Sequence, residues 1–270
     1  MKKQYQIMRM ILPMIFLFTM SNIVLFGQDI KQDATHAKII ELPRGCKLVL
    51  DTTIDATDSL SIEIINGIHD VIQSVQTLIP LDSITIDLVI NRNNVLPFLG
   101  FGGRTNMDDS GITIECYFDP ENPNFKTKYF INGLVHECHH ASRMSRSNGK
   151  LTLLELMVRE GLADHFMIEV TNCEQPQWSK ALTEEEINKY LIKSKPILFI
   201  KQDTWTQEFD EWLIFGRKGD DPIPGWTGYT LGWVIVENYL KAHPEARASS
   251  LVFTPAEEIA GSTPELMVTK

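Results

Sequence analysis

His136-Glu137-Cys138-His139-His140 sets two histidines four residues apart with a carboxylate beside the first. Residues four apart share one face of a helix, so His136 and His140 can offer two ring nitrogens to one metal ion. Glu137 flanks that pair, where a carboxylate can take a proton from a water acidified by the metal. Hydrolytic zinc sites generally use three protein ligands and keep one position open. Glu160 is the expected third ligand. Asp164, one helical turn further on, is expected to accept a hydrogen bond from the second ring nitrogen of a ligand histidine. The chemistry implied is peptide-bond hydrolysis assisted by Zn2+.

The five-residue H-E-x-x-H pattern also arises on ordinary exposed helices, so the surrounding elements decide its meaning. Phe130, Ile131, Leu134 and Val135 form an apolar stripe ahead of it, which predicts a helix buried along one side. Asn124 is its expected N-cap. Ser145-Arg146-Ser147-Asn148-Gly149 is a turn signal that reverses the chain. Thr152-Leu153-Leu154-Glu155 has the capping-box form and opens a second helix, with Leu153, Leu154, Met157, Val158, Leu162 and Phe166 apolar. Two antiparallel helices follow from this. Glu160 and Asp164, also four apart, then face His136 and His140.

H-E-x-x-H followed by E-x-x-x-D at this spacing resembles the gluzincin metallopeptidases, the group that includes thermolysin. Three segments resemble a narrower family of predicted zinc-dependent proteases, YjaZ-like and without assigned function. They are the run from Leu134 to Arg143, Glu160-Gly161-Leu162-Ala163-Asp164-His165-Phe166, and Gly228-Tyr229-Thr230-Leu231-Gly232. The similarity runs from about Gly100 to Leu240. It implies an α+β, zincin-like fold: a small N-terminal mixed sheet with an active-site helix, to about residue 145, then a mainly helical lobe from about residue 150. In such folds the strand before the active helix often lies at the sheet edge, where it can pair with an extended peptide. Tyr229, in the segment resembling the family's Gly-Tyr element, is the candidate second donor to a tetrahedral oxyanion, with a plain core tyrosine as the competing reading. His165, beside Asp164, is a weaker donor candidate. His139 is turned away from the metal, as a residue behind the ligands or on the surface. No element resembling an aminopeptidase amine clamp precedes the motif, so an endopeptidase is the default.

The chain begins with the layout of a secretory signal peptide: Met1-Lys2-Lys3 and Arg9, an apolar run from Met10 to Phe26, then Gly27-Gln28-Asp29. This predicts a leader over residues 1–28 and an exported zincin-like domain over 29–270. A retained membrane anchor is the alternative, weakened by Pro13 and Ser21-Asn22 inside the run. With that leader removed, no stable membrane insertion is expected. A formal charge of -10 argues against nucleic acid or an anionic membrane as partner, leaving a peptide or protein substrate. Cys46, Cys116, Cys138 and Cys173 could form two disulfides in an oxidising compartment, with three possible pairings. Cys138 reads as a buried thiol. Pro43-Arg44-Gly45-Cys46 allows a second idea, a thiolate that reaches the zinc and blocks it. A fourth protein ligand of that kind would mark a different class: an exported zinc-containing binding or chaperone-like protein without turnover. The presence of Glu137 argues against it, because a closed structural site has no need of a general base.

Elsewhere, Leu48-Val49-Leu50 reads as a strand, and Asp58 or Ser59 starts a helix that runs to Val75 with His69 on its surface. Alternation predicts strands over Ile84–Ile90 and Ile112–Phe118, the second feeding the zinc helix. Pro97 to Gly103 reads as a turn-rich loop. Its glycines are not followed by the Lys and Ser/Thr of a phosphate cradle. Thr183 caps a helix through Tyr190-Leu191. Trp205, Phe209, Trp212, Leu213 and Phe215 read as core. Gly216 to Gly225 is a loop, and Tyr229 opens a last helix over Leu231–Leu240, capped by His243.

Overall fold

The computed structural model describes residues 38–146 and 151–266; the leader reading falls outside them. Five strands form one mixed sheet in the order β1-β2-β3-β5-β4. β1 (Lys38–Glu41) pairs antiparallel with β2 (Lys47–Leu50), and β2 runs parallel to β3 (Thr85–Ile90). β3 is parallel to β5 (Gly111–Phe118), which is antiparallel to β4 (Phe101–Asp108) at the edge. Parallel neighbours need a crossover. Helix α1 (Ser59–Val75) supplies the one between β2 and β3, and the Asp58 carboxylate caps it by accepting from Leu60 N and Ser61 N at 2.9 and 3.0 Å.

Alternation explains the layers. Leu48, Leu50, Ile86, Leu88, Ile114, Cys116 and Phe118 are buried with Ile64, Ile68 and Ile72 of α1. The intervening Asp87 and Glu115 pair across the parallel register on the other face. Helix α2 (Thr127–Met144) continues that core through Phe130, Leu134 and Cys138. Helix α3 (Leu153–Thr171) follows, opened by Thr152, whose side chain accepts from Glu155 N. α3 serves both cores. Its Phe166 and Met167 join the sheet core, while Leu153 to Leu162 join a second, helical one.

That second core is completed by α4 (Glu184–Ser194), α5 (Gln207–Asp210) with the wide turn Glu211–Phe215, α6 (Thr227–Ala242) and α7 (Ala256–Ala260). α3 and α6 cross with their backbones in contact. A Cβ on Gly161 would lie 2.2 Å from Gly232 O, and one on Gly232 would lie 1.8 Å from Met157 O. The Arg143 guanidinium fastens the end of α2 to the start of α3. It reaches Glu155 through Nε and Nη2 at 2.7 and 2.8 Å, and the carbonyls of Val252 and Thr254 through Nη1 at 3.0 Å each. Among the described residues no helix is long and apolar enough to cross a membrane.

The chain is thus α+β, with a mixed sheet followed by a helical part. Four sequence expectations need correction. The loop expected over Pro97–Gly103 gives way at Phe101 to β4, a strand that lacks apolar alternation because an edge strand buries little on either side. The sheet edge beside α2 is therefore β4, while β5, the strand before α2, lies inside the sheet. The residue at the N-cap of α2 is Lys126, and Asn124 instead donates to Pro97 O at 3.2 Å. Of the aromatic stretch, Phe209 and Trp212 are core, whereas Trp205 and Phe215 are exposed.

Candidate metal centre

α2 and α3 run antiparallel, since His136 meets Asp164, His140 meets Glu160 and Arg143 meets Glu155. This brings the expected ligands to one point. Glu160 Oε2 lies 3.2 Å from His136 Nε2 and 3.1 Å from His140 Nε2. One ligand atom from each of the three residues lies within 4.8 Å of the others, and all three residues are buried. Burial alone would raise the Glu160 carboxyl, but His140, His136 and Arg159 together hold it well below the ordinary carboxylate range. Two imidazole nitrogens and one carboxylate oxygen facing a common point, away from bulk water, make a donor set that fits zinc.

Asp164 stands behind this trio, fully buried. His136 Nδ1 lies 2.9 Å from its Oδ1, so the ring's Nε2 is the nitrogen left toward Glu160. Burial lowers the His136 pKa, but the hydrogen bonds to Asp164 and Glu160 carry it well above the ordinary value. Two residues that the sequence reading did not single out hold Asp164 in place. Trp178 Nε1 donates to both carboxylate oxygens at 3.1 Å, and Ser179 Oγ donates to Oδ2.

Glu137 is buried on the β4 side. Thr105 Oγ1 donates to its Oε2 at 2.8 Å and lies 3.1 Å from its carbonyl oxygen. Space for this carboxylate exists because residue 103 is glycine: a Cβ there would fall 2.7 Å from Glu137 Cγ and 2.9 Å from Oε1. Neither Gly103 nor Thr105 could be found by local pattern, because their relation to Glu137 arises only when β4 pairs at the edge.

Tyr229, near the start of α6, also reaches the centre. Burial, then the carboxylates of Glu160, Glu137 and Asp164, then a hydrogen bond to Glu160, push its phenol well above the ordinary range. Trp226 packs edge-on against it, with ring centroids 5.3 Å apart. Other expectations fail. His139 is indeed turned away from the ligands but is neither behind them nor on the surface. It is fully buried, with its ring 5.4 Å from that of Phe166, and burial pushes its pKa well below the ordinary value. His165 stacks on Trp233 at 3.7 Å, with Nε2 3.4 Å from the Trp233 carbonyl, and so faces α6 rather than the ligands. The thiol of Cys46 is buried in the sheet core, donating to Leu81 O and accepting from Gln76, and is not in the ligand group. All four cysteines are free thiols, and Cys138 is buried as expected.

The sequence model of one protein family matches residues 67–261, and its description is predicted Zn-dependent protease (DUF2268). No curated protein matches the chain.

Proposed function

We propose that this chain, which belongs to the family of predicted Zn-dependent proteases, cleaves peptide bonds with zinc held by His136, His140 and Glu160. The observation that carries the reading is the meeting of those three donors beside a fourth carboxylate, Glu137, which is anchored elsewhere. When bound, zinc supplies a Lewis acid that polarises a carbonyl and makes water more acidic.

Glu137 is the general base in this reading. Its Oε2 is occupied by Thr105, while Oε1 makes no hydrogen bond among the described residues and is left to take the proton and return it to the leaving amine. Asp164 keeps the proton of His136 on Nδ1, which leaves the Nε2 lone pair for the metal. Tyr229 is the second donor to the oxyanion in this reading, its hydroxyl turning from Glu160 to do so. The unpaired side of β4 receives an extended peptide as an added strand. Gluzincin class, a zincin-like lobe pair over 29–270, endopeptidase action and export by the leader over 1–28 belong to the same proposal. The rival, a zinc-containing binding protein, draws no support from Cys46, which is engaged in the core.

The test uses purified protein, assayed for zinc and for cleavage of a broad set of unfolded proteins. About one zinc per chain is expected, as one hydrolytic site requires. Glu137→Gln should keep the zinc and lose nearly all cleavage. Undiminished cleavage by that variant refutes the mechanism, and zinc-loaded wild type that cleaves nothing favours the binding protein.

A further inference from the structure

Arg159 immediately precedes the proposed ligand Glu160 and enters the same centre. Its side chain is 15% exposed, and its Nη2 lies 3.5 Å from Glu160 Oε1, the oxygen that is not turned toward the histidines. Among the described residues that is its one ion pair, and Nε is enclosed without a hydrogen-bond partner. A guanidinium carries five N–H donors in a rigid fork matched to carboxylates. Arg143, one helix earlier and somewhat more buried, uses its fork fully on Glu155 and two carbonyls. Arg159 does not. A largely desolvated cation with spare donors, in a protein of formal charge -10, calls for an acceptor that the described residues do not provide.

We propose that Arg159 binds a carboxylate of the substrate within one residue of the scissile bond. The inference rests on the proposed hydrolytic site and adds its specificity. Reach sets the position. The guanidinium is in contact with the carboxylate that carries a ligand oxygen, and adjacent Cα atoms are about 3.8 Å apart, so a group next to the reacting carbonyl falls within range and one several residues away does not. Two sources present this chemistry: an acidic side chain adjoining the bond, in keeping with endopeptidase action, or the free C-terminal carboxylate of a single leaving residue, which would make the enzyme a carboxypeptidase instead. A purely structural role for Arg159, charge-balancing Glu160, predicts no preference between charged and neutral substrates.

The experiment measures binding to the zinc-loaded Glu137→Gln protein, so that turnover is not needed. The probes are acetyl-Phe-Ala as free acid and as amide, and acetyl-Phe-Asp-Ala amide against its Asn counterpart. At least one carboxylate probe should bind about 10- to 100-fold more tightly than its neutral partner, the range for a charged hydrogen-bonded contact. Adding Arg159→Gln should erase that difference while neutral probes change by less than about twofold, and Arg159→Lys should restore only part of it, lacking the fork. Preference for the free acid alone identifies the terminal carboxylate, and preference for Asp alone identifies the side chain. Zinc content and thermal unfolding of each variant establish that the site is intact. Equal binding of charged and neutral probes overturns the proposal. So does failure of all probes to bind, or an Arg159→Gln variant that weakens both kinds alike. If wild type cleaves neither these peptides nor the unfolded proteins but the Arg159-dependent preference persists, the hydrolytic reading falls and carboxylate recognition stands.

Discussion

Replacing Asp164 in two ways separates its charge from its hydrogen bonds. Its Oδ1 accepts from His136 Nδ1 at 2.9 Å and Trp178 Nε1 at 3.1 Å, and its Oδ2 accepts from Trp178 Nε1 at 3.1 Å and from Ser179 Oγ. An asparagine fits this socket. Its oxygen can keep His136 and Trp178, and its amide nitrogen can donate to Ser179, whose hydroxyl turns to accept. Asp164→Asn therefore removes the charge and little else. Zinc affinity should fall about 10- to 100-fold, the usual cost of losing a carboxylate behind a ligand histidine. Asp164→Ala leaves the buried groups of His136 and Ser179 without an acceptor, at about 1–3 kcal/mol each. The alanine protein should then lose several kcal/mol even without metal, a large share of a typical stability of about 5–15 kcal/mol. The assays are zinc competition against a chelator, and denaturant unfolding of the metal-free proteins followed by circular dichroism. Zinc binding by the asparagine variant within twofold of wild type would refute the role assigned to the charge. Equal stability of the two metal-free variants would refute the hydrogen-bond account.

Two further outcomes follow from the sheet. Gly103→Ala puts a methyl 2.7 Å from Glu137 Cγ and should displace that carboxylate from Thr105 Oγ1. Zinc content should be unchanged and kcat should drop by about 10-fold or more, the worth of one hydrogen bond to a charged group; full activity would show that the position of Glu137 is not set by β4. Asp87 faces Glu115, and burial followed by that neighbour raises its pKa above 3.8. An acid whose folded pKa is raised costs stability once ionised, so the penalty is absent below the ordinary value and appears as pH climbs through the raised one. Asp87→Asn should raise the melting temperature at pH 7, with the gain shrinking as pH falls through the raised pKa and absent below 3.8; a gain independent of pH would contradict this.

The centre was legible where its geometry is local. Helical spacing alone brings His136 and His140 to one face, and the helix opened by the Thr152 cap carries Glu160 and Asp164 back past them. Alternation also marked β3, β5 and α1, because each buries a full side. β4 was not legible: Gly102-Gly103-Arg104-Thr105-Asn106 has no alternating apolar side, and its strand character comes from pairing with β5. With β4 unseen, the partner of Glu137 was unseen too. Trp178 and Ser179 lie on a separate short turn after α3, and nothing in their spacing points back to Asp164. The two rejected histidines show the same limit. His139 and His165 neighbour the proposed site residues in the chain, yet the helix turns each toward a different packing partner, Phe166 and Trp233.

The contact of α3 with α6 has a mechanical consequence. With Gly161 and Gly232 backbone to backbone, no layer of side chains lies between these helices on which one could slide or tilt over the other. Glu160 is one residue from that crossing and Tyr229 one turn from it, so both belong to a single stiff wall. The opposite wall is different in kind. β4 meets α2 through side chains, the Thr105 hydroxyl on Glu137 and the Phe101 ring over Gly133, while its own main chain is paired along its length with β5. A substitution at either glycine is therefore felt at Glu160 and Tyr229 together, whereas one on β4 reaches the centre through Glu137.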